Sequence, residues 1–306
     1  MSFTVTLTTV LIMMAYSVPG YLLVKLGKIP KSAISSFATF LVYVCTPMQI
    51  LYAIQQADCS PYILRYFLIT FAVAFGTMGL MLGLMYLILR KRQDRVPYRI
   101  CVLASALGNV GFIGLPLLQA LMPEYPQMQA FSSMFFLSLN IYMWSVGSCI
   151  ATRDRRYIRP SKILLNPAVI AVALGLVLLF CRVRLSGQVG GMVELLGRMS
   201  TPMCMVILGM RLATIPIKSM FTSRLAYLAS ALKLIVFPLL VLGLCSLLPV
   251  EQDFIRGVFI LSCVPSGNLV LSFAEMLDEG QEDAANMVLL STILSMVTIP
   301  LMMQLI

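Results

Sequence analysis

The chain has 306 residues, of which 60% are hydrophobic and 11% are charged, whereas about 25% of the residues of a soluble domain are charged. Its mean hydropathy of +0.95 excludes a water-soluble globular fold, because no soluble core could bury so much apolar surface. The net charge is +10, but the basic residues lie mostly in short gaps between apolar runs. That placement indicates membrane topology rather than nucleic-acid binding.

Long apolar runs recur along the whole chain and predict membrane-spanning helices, because lipid offers the backbone no hydrogen-bond partner outside a helix. Ten spans are expected, with no soluble domain left over. In chain order they are residues 5–26, 34–54, 62–89, 97–121, 128–151, 163–181, 191–212, 221–247, 254–277 and 284–306. The predicted fold class is therefore an all-α polytopic membrane protein.

Alternate gaps between these spans carry most of the positive charge. Such gaps face the cytoplasm, so both chain ends are expected on the extracytoplasmic side of the cell membrane. The basic residues of the first four cytoplasmic gaps are Lys25, Lys28, Lys31, Arg90, Lys91, Arg92, Arg95, Arg99, Arg153, Arg155, Arg156, Arg159, Lys162, Arg211, Lys218 and Arg224. The last predicted cytoplasmic gap is acidic, which weighs little because acidic residues contribute little to orientation.

Two landmarks of the first half recur in the second half at nearly the same offset. They are Thr46-Pro47 with Thr201-Pro202, 155 residues apart, and Gly108 with Pro265, 157 residues apart. The offset predicts two related five-helix units, residues 1–151 and 163–306, joined by a cytoplasmic linker of residues 152–162. Because five is an odd number, the second unit enters the membrane inverted, as is typical of secondary transporters.

The fourth and ninth spans are each interrupted by glycine, proline and polar residues. These residues are Gly108, Asn109 and Gly111 in the fourth span and Pro265, Ser266, Gly267 and Asn268 in the ninth. The interruptions free backbone groups that lipid penalises unless protein, water or a ligand binds them. Each helix portion after a break begins with free amides and a positive dipole end, which predicts a binding site for a carboxylate. Alternatively, the glycines only allow close helix packing.

Several segments of the chain resemble the auxin efflux carrier family. They are residues 108–118, residues 265–268 with the following residues 272–275, and residues 290–300. The resemblance implies ten helices in two inverted repeats with broken, crossing fourth and ninth helices, the fold of NhaA and of bile acid symporters. It also implies a scaffold from spans 1, 2, 6 and 7, a transport domain from spans 3–5 and 8–10, and a substrate at the crossing, beside Asn109 and Pro265.

The chain departs from the plant members of that family at the predicted site. Plant members place a proline where this chain has Gly108, and they lack an equivalent of Asn268. The shape of the pocket and the substrate therefore cannot be copied from them. The long cytoplasmic loop of many plant exporters is also missing, because residues 152–162 alone join the two halves.

Two ionisable residues within the spans are candidate charge partners or coupling residues. Lys233 lies nine residues after Arg224, which is about 14 Å along a helix, so its ammonium reaches the cytoplasmic surface only with difficulty. Its functional role is either to offset the negative charge of the substrate or to stabilise the helix crossing; the alternative is a purely structural contact with carbonyls freed at a break. Glu275 is a candidate proton carrier, but it lies nearer a span end, where an interfacial or packing role is favoured, as for Arg198 and Glu194.

These features together predict a secondary transporter that moves a small organic anion across the cell membrane by alternating access. Dicarboxylates and indole-type acids are both compatible with an anion site of this kind. The resemblance implies malate, malonate or an auxin-like acid as the substrate, and it favours export. The expected partners are the substrate and the lipid bilayer, with no nucleic acid. The sequence does not specify the oligomeric state, and a homodimer is one alternative.

Other functions are less favoured. An intramembrane enzyme acting on lipid-linked substrates would need clustered carboxylates, histidine or a metal, and the chain has no histidine and no CxxC pair among its eight cysteines. No cofactor or metal is therefore expected, and the lack of a P-loop argues against ATP coupling. A channel is a third alternative, which flux without saturation would reveal.

Overall fold

A computed structural model of the chain describes residues 3–154, 156, 158 and 160–306, so Arg155 and Arg159 of the predicted cytoplasmic linker lie outside the described residues. The described residues form helices joined by short non-helical segments and contain no β-strand. In chain order the helices are α1 (Phe3–Lys25), α2 (Ala33–Ile54), α3 (Pro61–Ile88), α4 (Val96–Ala106), α5 (Val110–Leu121), α6 (Gln127–Thr152), α7 (Pro160–Leu164), α8 (Pro167–Phe180), α9 (Gly187–Leu212), α10 (Ile217–Thr222), α11 (Arg224–Ser246), α12 (Gln252–Ser262), α13 (Leu269–Leu277) and α14 (Gln281–Leu305).

Seven helices of the described residues are long and apolar enough to cross a membrane, namely α1, α2, α3, α6, α9, α11 and α14. The fourth predicted span is divided into α4 and α5, and the ninth into α12 and α13. The sixth predicted span is shorter than expected, since α8 begins at Pro167. The chain is thus an all-helical, polytopic membrane protein.

Side-chain caps account for two helix starts that differ from the predicted ones. The Asn166 side chain accepts a hydrogen bond from the N–H of Ala168 at 2.9 Å, and Pro167 occupies the first turn, so α8 begins there. In the same way the Ser223 hydroxyl accepts from Ala226 at 3.3 Å, which starts α11 three residues after the predicted position.

Three helices contain a widened, π-helical turn just before a proline. A proline has no N–H to donate and crowds the carbonyl four residues earlier, so a turn with five-residue spacing relieves the contact. In α2 the Thr46 hydroxyl donates to the Leu41 carbonyl at 2.8 Å across such a turn. The three widened segments are Leu41–Cys45 before Pro47, Val110–Gly114 before Pro116 and Leu232–Val236 before Pro238.

Helices α1 and α9 pack backbone against backbone through two glycines. A Cβ on Gly209 would lie 1.8 Å from the carbonyl oxygen of Ser17, and a Cβ on Gly20 would lie 2.0 Å from that of Val206. No side chain larger than hydrogen fits at either place without moving a helix. Small residues allow this close approach, which gives membrane helices much of their packing energy.

Helix α2 joins this pair and also contacts α8. A Cβ on Gly197 of α9 would lie 3.0 Å from the Cα of Gln49, and a Cβ on Gly175 of α8 would lie 2.7 Å from the Cδ1 of Ile54. Helices α1, α2, α8 and α9 therefore form a closely packed group, which we call the glycine-packed group.

A second group of helices is held together by aromatic side chains. The ring centroids of Tyr66 in α3 and Phe254 in α12 are 4.6 Å apart, and those of Phe131 in α6 and Phe254 are 5.8 Å apart. Phe67 meets Phe131 edge to face at 5.5 Å. Such tilted and edge-to-face pairs are the favoured aromatic geometries, and they join α3, α6 and α12.

Candidate functional site

The two interrupted helices lie against each other where each is broken. The N–H of Asn109 donates to the Pro265 carbonyl, and the N–H of Gly267 donates to the Leu107 carbonyl, both at 2.8 Å. Residues 108 and 266 are thereby opposed as in an antiparallel strand pair. We call residues 107–109 together with residues 265–267 the helix-break contact. Its hydrogen bonds satisfy backbone groups that neither interrupted helix can satisfy alone.

Side chains bind two carbonyls at the ends of the helices before the breaks and one backbone amide within the second break. The Ser266 hydroxyl donates to the Ala104 carbonyl at 2.8 Å, and the N–H of Ser266 donates to the Ser291 hydroxyl of α14 at 3.1 Å. The Lys233 ammonium donates to the Ser262 carbonyl at 2.8 Å. These bonds stabilise one side of the helix-break contact, where helix carbonyls would otherwise lie unpaired in a low dielectric.

Lys233 is buried beside the helix-break contact, with 1% of its surface exposed. Its Nζ lies 4.3 Å from the centroid of the Phe237 ring, close enough for a cation–π interaction. A Cβ on Gly108 would lie 2.8 Å from the Lys233 Cε, so the lysine stem packs on the break itself. The three roles considered for Lys233 all fit this position, because it binds a freed carbonyl and its amine lies next to Gly108.

The two asparagines of the breaks approach a single residue of α9. The Asn268 Nδ2 lies 3.4 Å and the Asn109 Nδ2 4.0 Å from the Sγ of Cys204. A thiol is a weak acceptor, so both amides have a poor partner. The buried Oδ1 of Asn268 has no hydrogen-bond partner among the described residues. The structure therefore brings Asn109 and Asn268 together, with hydrogen-bonding capacity to spare.

Glycines at the breaks are closely surrounded. A Cβ on Gly111 would lie 2.7 Å from the ring of Phe136, and a Cβ on Gly267 would lie 3.0 Å from the Gly108 carbonyl oxygen. These approaches agree with the packing alternative for the glycines. The same close approaches hold the two helix breaks together. The glycines can therefore serve both helix packing and the formation of the site.

Gln49 of α2 contacts the break of the fourth span, although its sequence context did not single it out. Its Nε2 donates to the Gly111 carbonyl at 2.8 Å. This carbonyl lies in the widened turn of α5, where the regular helix hydrogen bonds are displaced. The available signal was an amide side chain inside an otherwise apolar span, which carries no information about its partner 62 residues away.

Two arginines of α9 flank Cys204 on opposite sides. Arg198 precedes Cys204 by six residues and Arg211 follows it by seven, which is about 9 and 10 Å along the helix. Arg211 forms an ion pair with Glu275 of α13 at 2.9 Å, and Arg198 forms one with Glu194 of its own helix at 2.7 Å. The first pair joins α9 to the helix that follows the second break.

These observations define a polytopic helical membrane protein with paired helix breaks and a polar site between them, an arrangement found where membrane transporters bind their substrates. The model of the family described as membrane transport protein matches residues 3–161 and again residues 152–303. The chain belongs to this family, the auxin efflux carrier-like membrane transport proteins, as the sequence resemblance predicted. No curated protein matches the chain.

Proposed function

We propose that this protein is a secondary carrier that binds a small organic anion at the helix-break contact and moves it across the cell membrane by alternating access. The observation that supports this most directly is the meeting of Asn109 and Asn268 at Cys204, where two interrupted helices are joined. A permanent structural role would pair these amides with strong acceptors. A carboxylate is a much better acceptor than the thiol that they now face.

The electrostatics of the breaks also suit an anion. Helices α5 and α13 both begin at the helix-break contact, and each helix start carries about half a positive charge when its dipole is undisturbed. The Lys233 amine adds a further positive group beside Gly108 when it is protonated. We infer that these groups offset the charge of a bound carboxylate, which would otherwise be costly at this depth.

We further propose the ten-span arrangement of two inverted five-helix units, residues 1–151 and 163–306, with the two interrupted spans crossing at the helix-break contact. The family match in two stretches, residues 3–161 and 152–303, supports two related units. The glycine-packed group corresponds to spans 1, 2, 6 and 7, which supports its role as the scaffold. The remaining helices would form the transport domain, with both chain ends outside the cytoplasm.

Glu275 is better explained as part of a contact between these domains than as a proton carrier. Its carboxylate is paired with Arg211 at 2.9 Å, and this pair links the proposed scaffold helix α9 to α13 of the proposed transport domain. An ion pair that forms in one arrangement and opens in the other can bias the equilibrium between the two.

The proposed site is tested by flux into proteoliposomes with radiolabelled malate, malonate and indole-3-acetate. We expect saturable transport of at least one of them, with transport lost in Asn109→Ala and in Asn268→Ala. Asn140→Ala is the matched control, because Asn140 is also a buried asparagine but donates to the Phe136 carbonyl of its own helix at 2.9 Å. Wild-type flux in both site variants would refute the site, and flux without saturation would indicate a channel.

A further inference from the structure

A cavity of about 360 Å³ lies between α1, α2, α5 and α9. Its lining is largely apolar and aromatic, with several uncharged polar groups. Arg198 is the one charged side chain among the described residues that line it. Arg198 is therefore the group in this wall that attracts an anion.

The cavity extends to the immediate neighbourhood of the helix-break contact. Thr201 lies in its wall and is one helical turn before Cys204, which both break asparagines approach. Gln49 lies in the opposite wall, and its amide binds the Gly111 carbonyl at the start of α5. The part of the cavity beside Thr201 is therefore separated from Cys204 by about one helical turn, roughly 5 Å along α9.

The Arg198 guanidinium lies at the cavity, and its present partners do not use all of its hydrogen-bond donors. It pairs with Glu194 at 2.7 Å, with 67% and 41% of the two side chains exposed, and an exposed pair of this kind is weak. Its second contact, to the Tyr52 hydroxyl, is long at 3.5 Å. Because the guanidinium is a planar fork with five donors, it can bind a second carboxylate in two-point geometry.

A second cavity of about 480 Å³ lies farther from the helix-break contact. Tyr52 lines both cavities, while Glu194 lines the second and Arg198 the first. The Arg198–Glu194–Tyr52 group thus stands between the two spaces. A molecule that passes between the two cavities at this point moves past the guanidinium.

We propose that Arg198 is an entry site for carboxylate anions on the extracytoplasmic side of the helix-break contact, where an anion is held before it reaches Asn109 and Asn268 or after it leaves them. This inference rests on the proposed function and adds a residue outside the helix breaks that determines affinity from one side of the membrane. Arg198 is a positioning and recruiting residue, and the asparagines remain the substrate site.

The charge of the cavity can be measured without knowing the substrate. Gln119, which lines the cavity, is replaced by cysteine in a background where the three cysteines that are not buried, Cys59, Cys149 and Cys181, are changed to serine. Labelling rates are compared for the anionic reagent 2-sulfonatoethyl methanethiosulfonate and its cationic trimethylammonium counterpart. Taking the ratio of the two rates cancels changes in the reactivity of the thiol itself.

We expect Arg198→Gln to lower the anion-to-cation rate ratio about fivefold, because a charge on the order of 8 Å away in a water-like dielectric changes the two rates in opposite directions, each by about twofold. Arg65→Gln is the matched control, because Arg65 is an exposed arginine of α3 whose guanidinium donates to the Pro249 carbonyl outside the cavity. An unchanged ratio in Arg198→Gln, or no labelling of the introduced cysteine, would overturn the proposal.

Flux measurements separate this proposal from the proposed function. For whichever of malate, malonate and indole-3-acetate is carried, we expect Arg198→Gln to raise the KM about tenfold when the anion is supplied on the Arg198 side, the factor for losing about one charged hydrogen bond. The KM from the opposite side should not change. An equal change of the KM on both sides in Arg198→Gln, or no change on either side, would refute the entry site while leaving the asparagine site intact, whereas wild-type flux in the asparagine variants would refute the substrate site alone.

Discussion

The substitution Gly267→Ala tests whether the helix-break contact must stay as close as it is. A Cβ at this position would lie 3.0 Å from the Gly108 carbonyl oxygen and 3.1 Å from its carbon. An ordinary carbon–oxygen contact needs about 3.3–3.6 Å, so the two breaks must separate by roughly 0.3–0.6 Å. Gly267 is not among the glycines with positive φ, so this steric contact, and not backbone conformation, determines the effect.

The separation would lengthen both 2.8 Å hydrogen bonds of the helix-break contact. Each intramolecular hydrogen bond contributes about 0.5–1.5 kcal/mol net, and an unsatisfied buried group costs about 1–3 kcal/mol. We therefore expect a loss of about 1–3 kcal/mol in the free energy of unfolding. We also expect the flux of the protein that remains folded to fall, because the same shift moves Asn109 and Asn268 relative to each other.

Thermal unfolding in detergent and flux into proteoliposomes measure the two effects. Gly243→Ala is the control, since a Cβ at Gly243 would meet no atom within 4 Å and alanine favours a helix by up to about 1 kcal/mol over glycine. Gly267→Ala protein with the melting temperature and flux of the wild type would refute the reasoning, because the contact would then tolerate a wider spacing.

Three further substitutions probe the packing and the charges. Gly209→Ala should destabilise the protein by about 1–3 kcal/mol through overpacking, as measured by thermal unfolding; Gly83→Ala, where a Cβ meets nothing within 4 Å, should not. Lys233→Met should weaken anion binding about tenfold or more while the protein still folds, as measured by thermal shift with a transported anion; unchanged affinity would leave only the carbonyl contact as its role. Glu275→Gln should change the rate of transport by about two- to fivefold, because a partly exposed ion pair contributes at most about 1 kcal/mol. The charge-reversed pair Arg211→Glu with Glu275→Arg should restore the rate. If Glu275→Gln leaves the rate unchanged and the reversed pair does not transport at the wild-type rate, the proposed contact between the domains is refuted.

The helices and their interruptions were accessible to prediction because they depend on local chemistry. Apolar runs specify spans, and the glycine and proline residues near Gly108 and Pro265 mark places where a helix is weak. Helix starts were less accurate, since a single cap such as Asn166 or Ser223 decides where the first turn forms.

The partners of the site residues could not be predicted, because they lie far away in the sequence. Cys204 approaches Asn109 from 95 residues away, and Arg211 meets Glu275 from 64 residues away. The local sequence around a cysteine in an apolar span, or around a basic residue at a span end, does not predict such distant contacts. The sequence favours an interfacial or packing role for Arg198, and its place beside a cavity follows only from how α2 and α9 pack.

The most direct test of the paired-break site is equilibrium binding, measured as the rise in melting temperature of the purified protein with malate, malonate or indole-3-acetate. A ligand that binds the folded state at a hundred times its Kd adds about 2.7 kcal/mol of stability. We predict that one of these anions raises the melting temperature of the wild type and of Asn140→Ala but not that of the double variant Asn109→Ala/Asn268→Ala. An equal rise in the double variant would place the anion elsewhere and contradict the proposed site.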